Sequence, residues 1–370
     1  ENHIHLLKNN LSNEVWESGC EWVWQQIFPL SMDLTGKHSN QTLQTQKKWS
    51  SINTMDPAYD QYEKAREFYR THEYLAWIGE DESDEETIRS ASEEALDQSE
   101  NANSPANTDS ASAKISDQPM IYPMQQLMDY DFLMKHFYNV HTSTTADREL
   151  MNAKNLLSKD LTLEKEDAPQ ILIYHTHSQE SYKNSKKDEN VVAVGQKLTD
   201  LLTEKGWNVY HDTTVYDLAV GKLDRSRAYT YALEGINEIL ARYPSIQVVL
   251  DIHRDGVGED VYLKTEIGGQ PSARIMFFNG LSQTPEGPIS YLANPFREDN
   301  LAFSLKLQLK AEEYYPGFTR KIYLKGLRYN QHLRARSALV EVGAQTNTFE
   351  EACNAMMPLA ELLDMVLQGK

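Results

Sequence analysis

From Ile171 onward the chain alternates short apolar runs with amphipathic stretches. That alternation is the signature of strands and helices taking turns in an α/β sheet. Ile171-Leu-Ile-Tyr174 is apolar throughout and reads as a short buried strand. Asn190 to Lys205 places Val191, Val194, Leu198 and Leu201 on one helical face, and Gly206 supplies the stop. Trp207 to Tyr210 reads as a strand. Ser226 is expected to cap a helix reaching Tyr243, with Ala228, Ala232, Ile236, Ile239 and Leu240 inward and Pro244 behind it. Ile246 to Ile252 is a nearly continuous apolar strand that ends in His253. Val261–Glu266 and Arg274–Phe278 are expected to form a hairpin across Gly268-Gly269. A helix from Glu298 to Tyr315 stops at Pro316-Gly317. Strands follow at Lys321–Leu324 and Ala338–Val342, and Phe349–Leu367 reads as one closing helix. The expected fold class is α/β, a mostly parallel sheet flanked by helices.

Upstream the pattern weakens in three steps. Residues 119–170 keep apolar positions at Leu127, Tyr130, Phe132, Leu133 and Phe137, and read as a lead-in packed on the following domain. Thr144, Thr145 and Asp147 are expected to start a short helix towards Leu150. Residues 79–118 are rich in Asp, Glu, Ser, Asn and Ala, with the acidic run Glu80-Asp-Glu-Ser-Asp-Glu-Glu86. So little apolar surface cannot offset the entropy of ordering, and a disordered acidic linker is expected. Residues 1–78 are polar but carry Val15, Trp16, Cys20, Val23, Trp24 and Ile27 near helical spacing. They read as a small helical region, or as a juxtamembrane segment with interfacial tryptophans. The expected domains are therefore 1–78, 79–118 and an α/β domain over 119–370.

Charge narrows the function classes. The formal net charge is -19, from 36 basic and 55 acidic residues. A general nucleic-acid binder is not expected, because nothing broad would neutralise phosphates. Only Cys20 and Cys353 are present, which excludes a disulfide scaffold and a cysteine zinc site. No apolar run approaches the roughly 20 residues of a membrane span. The chain opens on Glu1, and a trimmed form whose signal or anchor is missing is expected.

The chemistry gathers where apolar runs stop. The first strand is followed by His175, His177 and Glu180, the long apolar strand by His253, and the late strand carries Glu341. Strand ends pointing one way in a parallel sheet converge on one edge. Two imidazoles and one carboxylate are a common catalytic zinc set that leaves a coordination position open. A further carboxylate can then move protons for the attacking water. Glu341 suits that task, since its apolar neighbours Leu339, Val340 and Val342 would raise its pKa. His175 and His177 share one side of an extended chain, so either can be the ligand and the other can line the pocket. Asp251 and Asp255 are candidates to hold a ligating imidazole. Glu189 rivals Glu180 as the third ligand.

Ile171-Leu-Ile-Tyr-His-Thr-His-Ser-Gln-Glu-Ser-Tyr182, Asp251-Ile-His-Arg-Asp255, Arg328-Tyr-Asn-Gln331 and Leu339-Val-Glu-Val-Gly343 together resemble the stage II sporulation protein P family of endospore-forming bacteria. The resemblance covers roughly 120 to the C-terminus. It implies an amidase-like catalytic domain similar to zinc-dependent N-acetylmuramoyl-L-alanine amidases, which cut between muramic acid lactyl and the first alanine of the stem peptide. Carried over by motif, it implies His177, Glu180 and His253 as zinc ligands and Glu341 as the catalytic glutamate. His175, Arg254, Arg328 and Asn330 become the candidate substrate-binding residues. It further implies peptidoglycan as substrate, endopeptidase activity beside the amidase, and partnership with stage II sporulation proteins D and M. The implied place is the extracytoplasmic face of the septal membrane during engulfment, through an anchor this chain does not show.

Two other functions fit the same residues. A zinc carboxypeptidase acting on wall peptides has the same ligand order, with Arg254, Arg328 or Arg334 gripping the terminal carboxylate. A non-catalytic wall-binding scaffold could keep the metal site. Product analysis and a Glu341→Gln variant separate the three.

Overall fold

Apolar runs that are buried on both sides set the architecture. The computed structural model describes residues 119–218, 223 and 225–370. The expected helical region at 1–78 and the linker at 79–118 lie outside the described residues. In chain order the elements are α1 (Met124–Leu127), α2 (Tyr130–Phe137), β1 (Tyr138–Val140), α3 (Ala153–Ser158), β2 (Ile171–Tyr174), α4 (Val191–Glu204), β3 (Val209–His211) and α5 (Arg225–Arg242). Then come β4 (Val248–Asp255), β5 (Lys264–Ile267), β6 (Gln270–Ala273), β7 (Ile275–Gly280), β8 (Gln283–Thr284), β9 (Gly287–Pro288), α6 (Arg297–Tyr314), β10 (Ile322–Lys325), β11 (Arg336–Ala344), α7 (Phe349–Asn354) and α8 (Met356–Leu367).

Seven strands form the main sheet in the order β1-β10-β7-β11-β4-β2-β3. Every neighbouring pair is parallel except β7 and β11, which run antiparallel. The sheet is mostly parallel and flanked by helices. Alternation along the strands divides it into two faces. Val248, Leu250 and Ile252 of β4 join the large core built with α4, α6 and α8, while Val249 joins Leu172, Tyr174 and the α5 residues Ala232 and Ile236. The face towards α5 carries the chemistry.

Local signals explain where the elements differ from expectation. α5 runs from Arg225, one residue ahead of the expected cap position. The hairpin pairs β5 with β6, with positive φ at both Gly268 (58°) and Gly269 (80°), as a tight hairpin turn needs. Ile275-Met-Phe-Phe278 is not its second strand. That run is apolar at successive positions, so it is buried on both faces as β7, between β10 and β11. The closing helix breaks at Ala355 into α7 and α8. Pro358 has no N–H for the Asn354 carbonyl, and the restart places it in a first turn, where none is needed. Asp147 holds a turn by accepting from the N–H groups of Glu149 and Leu150; no helix forms there.

Candidate metal centre

β4 and β11 lie side by side in parallel register, with Glu341 opposite His253. Glu341 sits within its strand as expected, and His253 also lies within β4 instead of just beyond its end. Val340 and Ile252 face the large core, so Glu341 and His253 face the other way, towards α5. The turn after β2 brings the remaining candidate ligands. Its Glu180 N–H bonds to the His177 carbonyl, which stacks the two side chains on one side. His177, Glu180 and His253, all buried, each offer a ligand atom within 4.8 Å of the other two. Glu189 is elsewhere, bound to Lys186 through its side chain.

The spacing within this group suits a small cation. His177 Nδ1 is 3.7 Å from Glu180 Oε1, and His253 Nδ1 is 3.5 Å from Glu180 Oε2. Donors held at about 2.0–2.1 Å around a tetrahedral ion lie roughly 3.4 Å apart. His177 Nε2 and Glu341 Oε2 are buried without a hydrogen-bond partner in the protein. Such atoms cost about 1–3 kcal/mol each when uncompensated. The donor set of two imidazoles and a carboxylate therefore fits a metal ion.

Several groups fix these donors. The Arg254 backbone N–H donates to Glu180 Oε2 at 3.0 Å, and the Arg225 guanidinium lies 3.5 Å from Oε1. Asp251 accepts from the Thr176 N–H (2.9 Å) and the Thr176 hydroxyl (2.6 Å). His253 Nε2 is 2.9 Å from Asp251 Oδ1, though its N–H is not aimed squarely along that line. With Nδ1 towards Glu180 and Nε2 towards Asp251, His253 has the orientation seen when a carboxylate backs a ligating imidazole. Tyr229 of α5 packs its ring against both imidazoles, with centroids 5.5 Å from His177 and 6.5 Å from His253.

The electrostatics call for positive charge. Burial opposes ionisation of Glu180, yet His177 and His253 hold its carboxyl well below the usual range. Asp251 is likewise held low, chiefly by His253 against the cost of burial. Burial opposes the charged form of His253, but Asp251 and Glu180 outweigh it and hold the imidazole well above its ordinary range. Two carboxylates against one imidazole is a setting that retains a cation, whether proton or metal. Glu341 is the opposite case. Burial, then the charge of Asp255, push it up to about 8.

The other expected site residues are used differently. His175 is fully buried; its Nδ1 bonds to the Ile252 carbonyl at 3.0 Å and its Nε2 to His211 Nε2 at 2.9 Å. Both ring nitrogens are spent on the protein, and His175 ties β2 to β4 and β3. The Arg254 side chain donates to the carbonyls of Ser181 and Asp255. Asn330 is buried and its amide donates to the Tyr229 carbonyl at 2.9 Å, which buttresses the Tyr229 backbone. Arg328 is half-buried in the same loop. Arg334 and Arg336 bond to backbone carbonyls and neither pairs with Glu341, while Asp255 pairs with Arg320 instead of Arg254. Arg225, Tyr229 and Asp217 were missed in the sequence. They arrive from a helix start and a loop, where no periodic signal marks them.

The family model for stage II sporulation protein P matches residues 46–364. The chain belongs to that family. It is 28% identical to the stage II sporulation protein P of Bacillus subtilis (strain 168) over 214 residues, which are 53% of this chain and 50% of that relative. The match thus spans about half the length of the curated relative. Among solved structures, the chain is similar to the CwlD amidase from Clostridioides difficile in complex with the GerS lipoprotein, at 16% identity and a TM-score of 0.34, covering 53% of this chain and 99% of that one. It is also similar to the N-acetylmuramyl-L-alanine amidase Ami1 from Mycobacterium smegmatis, at 12% identity and a TM-score of 0.34, covering 55% and 99%. Among the described residues, no helix is long and apolar enough to cross a membrane.

Proposed function

We propose that this chain is a metal-dependent peptidoglycan hydrolase of sporulation, and specifically a zinc N-acetylmuramoyl-L-alanine amidase. One observation carries the proposal: buried His177, Glu180 and His253 bring ligand atoms within 4.8 Å of one another, while Glu341 lies in register beside His253. His177, Glu180 and His253 would hold the ion. Zinc, when bound, supplies Lewis acidity to the scissile carbonyl and to water.

The chain's own residues do the rest. Glu341 takes a proton from the attacking water and returns it to the departing amine of the stem peptide. Its buried, partnerless Oε2 keeps the carboxylate basic enough for that exchange. Asp251 keeps His253 turned with Nδ1 towards Glu180, where it would serve as a ligand. The Arg254 N–H holds Glu180 in its ligating pose. The loop carrying Arg328 and Asn330 packs through Tyr329 on Tyr229 beside the ligand imidazoles, a natural wall for the glycan or stem. We further propose peptidoglycan as substrate, stage II sporulation proteins D and M as partners, and action at the extracytoplasmic face of the septal membrane during engulfment. Endopeptidase activity on cross-linked stems belongs to the same proposal.

The deciding experiment is digestion of purified cell wall by the full chain, read by mass spectrometry. Cleavage of the lactyl–alanine bond, with intact stem peptides released, is the expected result. Release of single amino acids would replace the amidase by a carboxypeptidase, and an unaltered wall would remove the hydrolase.

A further inference from the structure

The turn that carries both His177 and Glu180 is gripped from two sides. On its N-terminal side, Asp251 accepts two hydrogen bonds from Thr176. On the other side stands Asp217, from the loop after β3. Asp217 has no solvent exposure. Its Oδ1 accepts from the Ser178 hydroxyl at 2.7 Å, and its Oδ2 accepts from the Gln179 backbone N–H at 3.1 Å. Ser178 and Gln179 are the two residues between the two ligands. A fully buried carboxylate is costly unless its acceptors are filled, and here the two donors that fill them come from that dipeptide.

Resting on the metal reading above, we infer that Asp217 is a positioning residue for the metal: by bonding Ser178 and Gln179 it sets the spacing of His177 and Glu180. The bond to the Gln179 N–H adds a second restraint to a turn already closed by the Glu180 N–H to His177 carbonyl bond. Partners that orient ligands are typically worth about 10–100-fold in metal affinity.

The test is zinc affinity of the full chain, measured in competition with a chromophoric chelator, beside the melting temperature of the metal-free protein. Asp217→Ala removes both acceptors. It is expected to weaken zinc by about 10–100-fold. Ser178→Ala removes the hydroxyl bond alone and is expected to weaken zinc by a smaller factor. The double variant should be no weaker than Asp217→Ala, because both act through one contact. Wild-type affinity in Asp217→Ala overturns the inference and leaves the metal reading standing. If Asp217→Ala does not fold, Ser178→Ala decides, and unchanged affinity there overturns the inference. A wild-type chain that binds no zinc removes the metal reading and the inference together.

Discussion

In the proposed site, Glu341 and its register partner His253 have two separate jobs within one ladder. Removing a ligand should remove the ion, whereas neutralising Glu341 should leave the ion and stop proton transfer. His177→Ala and His253→Ala are each expected to lose both zinc and wall hydrolysis. Glu341→Gln should retain about one zinc per chain by elemental analysis while hydrolysis falls by about 100-fold or more. His332 makes a different prediction. Burial, then the charge of Arg328, push it down to about 3. Its unfolded value is about 6.5, so the unfolded chain takes up the proton first. Its contribution to stability is complete above pH 6.5 and is lost as pH falls from there towards 3. His332→Gln should flatten that acid dependence, measured as denaturation midpoints between pH 7 and pH 5. At this scale His253 and Glu341 stand out in the sequence because each lies in or at the end of an apolar run, whereas Glu180 is singled out only by its spacing from His177 and the family motif. Asp217, Arg225 and Tyr229 do not stand out, since spacing says nothing about a residue delivered by a loop or a helix start.

Elements explain why His175 is packed away from His177 and Glu180. It has the same chemistry as His177 and stands two residues away, but α4 lies directly against its ring. A Cβ on Gly195 would come within 2.5 Å of His175 Cε1. Gly195→Ala tests this as a contest between two effects. Alanine gains about 1 kcal/mol of helix propensity, while overpacking a ring pinned at both nitrogens costs about 1–3 kcal/mol. Net destabilisation in chemical denaturation is expected, and a stabilised protein would show that His175 can move aside. The element order was legible because apolar runs of four to eight residues alternate with helical periodicity. Strand direction was not. Nothing in Ile275–Gly280 distinguishes a strand that turns back in a hairpin from one that crosses into the main sheet. Pairing partners are chosen by tertiary burial, not by local pattern.

For the whole molecule, the metal is the largest expected lever. An anionic cluster of Glu180 and Asp251 loses its repulsion when a cation is held, and any ligand of the folded state raises its stability by mass action. Zinc is expected to raise the melting temperature of chelator-treated protein in a dose-dependent way and to restore wall hydrolysis. An unchanged melt across the titration would contradict the site. The formal charge of -19 draws on the acidic run at 80–86, so it describes the chain more than the catalytic domain. β11 is the fourth of seven strands in space, yet the last in sequence. It is the one strand hydrogen-bonded both to the β4-β2-β3 block and to the β7-β10-β1 block. The two blocks of the sheet are therefore joined only through residues 336–344. Glu341 rides on that same segment, so the proposed proton carrier and the seam of the sheet stand or fall together.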